Sequence, residues 1–68
     1  MVKGTISSYN PRRGTGYVRH DRGIDAIPFS VRHAADRQFA SGDTVEYTVV
    51  GGLTGVAARG VRVIARAA

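Results

Sequence analysis

Arg13-Gly14-Thr15-Gly16-Tyr17-Val18 is the stretch from which the rest of the chain can be read. A β-branched residue beside an aromatic, with glycines interleaved, favours a short extended segment over Thr15–His20. Alternate side chains of a strand share a face, so Thr15, Tyr17 and Arg19 point the same way. Gly16 within the strand marks a close approach to its backbone. Upstream, Val2–Tyr9 mixes Val2, Thr5, Ile6 and Tyr9 with polar residues, the pattern of a half-exposed strand. Asn10-Pro11 ends it, because proline cannot continue a ladder. Downstream, Asp21-Arg22-Gly23 is turn chemistry, and Ile24–Phe29 is a third, largely apolar strand whose Pro28 belongs at an edge or bend.

Ser30–Ala40 is the one helix candidate: Ser30 is a fitting N-cap, and Val31, Ala34, Ala35 and Phe39 have loose helical spacing. A single short turn followed by irregular loop is expected there. Thr44–Val50 alternates Val45, Tyr47 and Val49 with polar residues and is the clearest strand. Gly51–Gly55 reads as a flexible hairpin loop, Val56–Ile64 as the last strand, and the tail from Ala65 as frayed. The expectation is all-β: a small closed, five-stranded antiparallel barrel, with strands near 2–10, 15–20, 24–29, 44–50 and 56–64. Ile6, Val18, Ala26, Val45, Val49, Val61 and Val63 should point inward, and Phe39 and Tyr47 should plug the core or close the barrel.

With 68 residues the chain has room for one domain, 1–68, with a thin core. It has no cysteine, which excludes disulfides and thiolate metal sites, and His20 and His33 alone do not make a structural zinc site. No apolar run approaches the ~20 residues of a membrane helix, and the N-terminus lacks a secretory apolar region, so a cytoplasmic location is expected. Ten Lys/Arg against five Asp/Glu give a net charge of +5, and only Lys3 among the ten is lysine. A polyanionic partner follows, nucleic acid ahead of a membrane surface.

Arg13–Val18 resembles the ribonucleoprotein motif RNP1, in which a basic residue and two glycines frame aromatics on a strand. Wider similarity reinforces it. Lys3-Gly4-Thr5-Ile6-Ser7-Ser8-Tyr9-Asn10, Asp25-Ala26-Ile27-Pro28-Phe29-Ser30, Gly42-Asp43-Thr44-Val45-Glu46-Tyr47 and Gly55–Val61 follow, in order and spacing, blocks of the cold-shock domain family. The family runs Lys-Gly-Thr-Val-Lys-Trp-Phe-Asn, Asp-Val-Phe-Val-His-Phe-Ser and Gly-Gln-x-Val-x-Phe in those places, so one residue is missing beside Pro28. The resemblance implies a barrel of the OB type with a single-stranded RNA- or DNA-binding face built from Tyr9, Arg13, Thr15, Tyr17, Arg19, Ile27 and Phe29. Bases would stack on aromatics, at ~1–3 kcal/mol each, and arginines would meet phosphates. Several platforms are gone: the family tryptophan corresponds to Ser8, the first RNP1 phenylalanine to Thr15, the third-strand phenylalanine to Ile27, and its histidine is deleted or replaced by Pro28. Arg12, Arg13, Arg19 and Arg22 are the candidates to compensate.

Phe29 has a second reading as a core plug, Tyr9 as a half-buried strand end, and His20 and His33 as plain loop residues. The expected function is low-specificity nucleic-acid binding of the RNA-chaperone or cold-shock-regulator type, with no cofactor and no small-molecule substrate. The alternative is a barrel whose eroded face docks a protein. No Ser/His/acid or Cys/His constellation suggests an enzyme.

Overall fold

The computed structural model describes residues 1–23, 25–53 and 55–67. Its strands are β1 (Val2–Asn10), β2 (Thr15–His20), β3 (Ala26–Ser30), β4 (Thr44–Gly52) and β5 (Gly55–Ala65). They close in the order β1-β2-β3-β5-β4, with β1 hydrogen-bonded back to β4. The third strand begins at Ala26, not at position 24, and Ile24 lies outside the described residues. Ser30 caps a single 3-10 turn, Val31–His33, by accepting from the Arg32 amide at 3.3 Å, as its position suggests. Among the described residues no helix is long and apolar enough to cross a membrane.

The all-antiparallel expectation needs one correction. Neighbours are antiparallel at β1–β2, β1–β4, β2–β3 and β4–β5, but β3 and β5 run parallel. Strand direction cannot alternate all the way round a ring with an odd number of members, so one parallel seam is forced. That seam is poorly paired, with Phe29 opposite Ala58 as its one register pair. Below that pair the connection after the 3-10 turn closes it. The Ala35 amide donates to the Val61 carbonyl at 3.0 Å, and Asp36 Oδ2 accepts from the Val63 amide at 2.8 Å.

Ile6, Val18, Val45 and Val61 are buried as expected, with Phe29, Phe39, Tyr47 and Ala58. Val63 is partly buried against this cluster. Ala26 and Val49 are not inward. Ala26 pairs with Arg19 on the outer face. Val49 is 41% exposed because β1 covers β4 only as far as the Val2–Tyr47 pair. Ala58, not anticipated, is core because of a bulge in β5. Between Glu46–Arg62 and Thr48–Arg59 the last strand carries one extra residue, and Gly60 there has φ 64°. An extra residue swaps the faces of everything beyond it, so Val61 and Ala58, three apart, both point inward.

Tyr47 is the largest of the fully buried side chains, and its hydroxyl has no hydrogen-bond partner among the described residues. Desolvation pushes its pKa up from 10.0, and the charge of Asp21 adds to this. The phenol therefore stays protonated more firmly folded than unfolded. Its contribution to stability holds below about pH 10 and is lost at higher pH as the unfolded chain ionises first. Tyr47→Phe should leave stability at pH 7 unchanged or raise it by up to about 1 kcal/mol, and should blunt the loss above pH 10. Urea titrations at the two pH values check this; a loss of more than about 1 kcal/mol at pH 7 would mean that the hydroxyl is hydrogen-bonded.

Candidate functional site

The outer face of β2 carries Thr15, Tyr17 and Arg19, all exposed, with Gly16 and Val18 buried beneath them. β1 adds Ser8 to this face, and a bulge is what puts it there. The register slips between Ile6 and Ser8, so Ser8 lies opposite Tyr17 on the outside while Tyr9 turns in opposite Gly16. β3 adds Ala26, opposite Arg19, and Pro28, opposite Tyr17. Tyr17 is 48% exposed and is the one large ring on the face. Arg12 and Arg13 flank the end of β1, where Asn10 Oδ1 accepts from both their amides (3.0 and 3.4 Å) and shapes the turn.

Ile27 and Phe29, both expected on this face, lie on the other side of β3. Ile27 pairs with buried Val18 and Phe29 with buried Gly16. Phe29 is 3% exposed, and Ile27 is half-buried against the core. The physical reason is the missing residue. In the family pattern Phe and His stand two apart and so face the same way. Here Ala26 and Pro28 hold that outward register, so Ala26, rather than Ile27, matches the family phenylalanine by face. Tyr9 is half-buried and stacks on Phe29 (centroids 6.1 Å apart, 13° between planes), with Phe39 edge-on to both. Its hydroxyl donates to the Arg37 carbonyl at 3.4 Å. Its ring is thus committed to the core, and only its rim reaches the face.

The glycines of Arg13–Val18 are required by close packing, at Gly16 as the sequence suggests. A Cβ on Gly16 would collide with the Ser8 carbonyl oxygen and come within 2.9 Å of Phe29 Cε1. Gly14, at φ 66°, accepts the Val31 amide on its carbonyl at 2.8 Å. Both serve the barrel's interior.

Among the described residues the ion pairs are Arg62–Glu46 at 2.6 Å and Arg66–Asp43 at 3.3 Å. Arg62 holds the Glu46 carboxyl below its usual pKa, chiefly by their hydrogen bond. Arg12, Arg13, Arg19, Arg22 and Arg59 are exposed and make none of these pairs. Two concavities flank Tyr17. One, of about 300 Å³, runs over Ser8, Asn10 and Arg13. The other, about 460 Å³, lies towards the β4–β5 hairpin and includes Pro28, His33 and Arg59. His33 and Arg59 gave no sign of this in the sequence, since they come together with Tyr17 only through the seam. Among the described residues, no cluster of His, Cys, Asp or Glu is placed to hold a metal ion.

Topology and register together define an all-β, closed five-stranded barrel of the OB type. Its particular form is the cold-shock-domain fold. The CSD456 segment of Drosophila Unr superposes on it with a TM-score of 0.76 and 25% identity over 93% of this chain. This chain spans 26% of that one's length. No family model and no curated protein sequence matches it.

Proposed function

We propose that this chain binds single-stranded RNA or DNA across the outer face of β1, β2 and β3, with low sequence specificity, as an RNA chaperone or cold-shock-type regulator. On this reading it is a binding module and not an enzyme. The observation that carries the reading is Tyr17: a half-exposed aromatic in the middle of a sheet face, with Arg13 and Arg19 beside it and, among the described residues, no acid in an ion pair with either. A ring offers any base a stacking surface, and arginines offer phosphates a counter-charge, so both contributions ignore sequence. With one ring where stacking would use several, the electrostatic share is the larger.

Anisotropy of a labelled single-stranded oligonucleotide, titrated at two salt concentrations, tests this. Affinity should fall steeply with salt, with a log–log slope of about −0.7 per phosphate contacted. Tyr17→Ala should cost roughly 1–3 kcal/mol without unfolding the barrel. Arg13→Ala should weaken all sequences alike and lower the slope by somewhat under one unit. Tight binding that is indifferent to salt would contradict the electrostatic emphasis. Equally negligible binding by wild type and Tyr17→Ala at low salt would overturn the reading and direct attention to a protein partner.

A further inference from the structure

Thr15 closes the run Arg12-Arg13-Gly14-Thr15, a hydroxyl with arginines three and two residues before it. No other serine or threonine of the chain has arginine at either place. The fold leaves this acceptor open. Thr15 is exposed, as are Pro11, Arg12 and Arg13 ahead of it. It also forms the end pair of both its ladders, with Asn10 of β1 and Ser30 of β3. Ladder ends open locally at low cost, so Arg12–Thr15 can be drawn into an enzyme's cleft while the rest of the barrel stays paired. We propose that Thr15 is a phosphorylation site for an arginine-directed protein kinase, and that the phosphate switches off nucleic-acid binding; the second half rests on the function proposed above.

Arg12 and Arg13 are fixed positive forks that carboxylates of such an enzyme can hold bidentately. In the transfer the Thr15 hydroxyl oxygen attacks the γ-phosphorus of a nucleoside triphosphate. A bond from that oxygen to phosphorus forms, and the bond from phosphorus to the β–γ bridging oxygen breaks. The nucleoside diphosphate leaves with the electron pair, and the hydroxyl proton passes to a carboxylate of the enzyme. The product carries about −1.5 to −2 at neutral pH. Its position makes that charge count. Thr15 borders both concavities that flank Tyr17, and Tyr17 follows it by two residues on the same face. A strand reaching the ring would meet a dianion where it now meets a neutral hydroxyl, and Arg13 would have a phosphate of its own chain to pair with. In the cold-shock pattern phenylalanine, which accepts no phosphate, stands at this place. The device therefore belongs to this chain's departure from that pattern.

The test treats the folded chain with ATP, magnesium and a kinase selective for arginines two and three residues before its acceptor, with a peptide of residues 9–20 as the freely accessible standard. Intact and fragment masses should show one phosphate, on Thr15. Thr15→Ala should take none, and Arg12→Ala should be labelled about ten-fold more slowly. Treated wild type should then bind labelled oligothymidylate about ten-fold or more weakly than mock-treated protein at low salt, and the gap should narrow as salt rises. Treatment should leave the affinity of Thr15→Ala where it was before treatment. A labelled peptide beside an unlabelled folded chain, a phosphate on another residue, or no label on either would overturn the site. Label on Thr15 with unchanged affinity, while Tyr17→Ala still loses it, would overturn the switch and leave the function proposed above standing. If even mock-treated wild type binds no oligonucleotide, that function fails and the switch with it, and the masses alone decide the site. Should Thr15→Ala unfold, the fragment masses of treated wild type locate the phosphate.

Discussion

Rings restored beside Tyr17, by Ser8→Trp and Thr15→Phe together, should tighten single-strand binding by roughly 100-fold and make it less sensitive to salt. Each added platform is worth about 1–3 kcal/mol per stacked base, and each 1.4 kcal/mol is a factor of ten. The geometry supports both sites. Ser8 pairs with Tyr17 across the strands, Thr15 precedes it by two on the same strand, and both are exposed. Neither change fills the core, so the fold should tolerate them. The bulge at Ser7 matters here, since without it position 8 would face inward and tryptophan would wreck the barrel. Fluorescence of the new tryptophan gives a direct readout, because the wild type has none. Quenching on titration with oligothymidylate, with a shallower salt slope, is the expected result. Unchanged affinity in a folded double variant would show that this face does not stack bases.

Asp43→Ala should lower the melting temperature by roughly 10–20 °C, the largest effect expected of any single polar change. Asp43 is 1% exposed, and its carboxylate accepts from the Ala40 amide at 3.0 Å and the Ala67 amide at 2.8 Å and pairs with Arg66. Its own carbonyl accepts from the Ile6 amide at 2.9 Å, so one residue ties the loop before β4 to β1 and to the C-terminal end of the chain. Loss of the carboxylate strands two amides, at about 1–3 kcal/mol each before water reaches them. In so small a domain each kcal/mol moves the midpoint by about 4–8 °C. The Ala67 amide, first, holds the carboxyl below its ordinary 3.8, with Ala40 and Arg66 assisting against the desolvation that opposes them. A depressed folded pKa means the stabilisation is present above about pH 3.8 and fades as pH falls through the folded value. Asp43→Ala should therefore remove part of the acid lability as well. Equal melting temperatures for wild type and variant at neutral pH would refute the anchoring role.

Asp43 also shows why part of this architecture was illegible in the chain. Ser41-Gly42-Asp43 announces a turn, but the partners of the carboxylate at Ala67 and Arg66 lie more than twenty residues away, and no local pattern points to them. The faces failed for a related reason. Strand alternation correctly grouped Thr15, Tyr17 and Arg19 because β2 is regular. It misplaced Val49, which keeps its alternation but loses its cover; the resemblance misplaced Ile27 and Phe29, whose faces follow from where one missing residue is absorbed.

What the amino-acid sequence determined by itself was local: five extended segments, their turns, the capped turn after Ser30, a positive charge and one exposed ring. These follow from backbone preference and period-two patterning, which act within a few residues. The tertiary structure alone decided the rest. Which residues face solvent depends on bulges, because one inserted residue inverts every later side chain. The parallel seam depends on ring closure, since the direction of β3 relative to β5 exists only once all five strands meet. The groove that joins Tyr17, His33 and Arg59 is a consequence of that seam, and no window of sequence contains it.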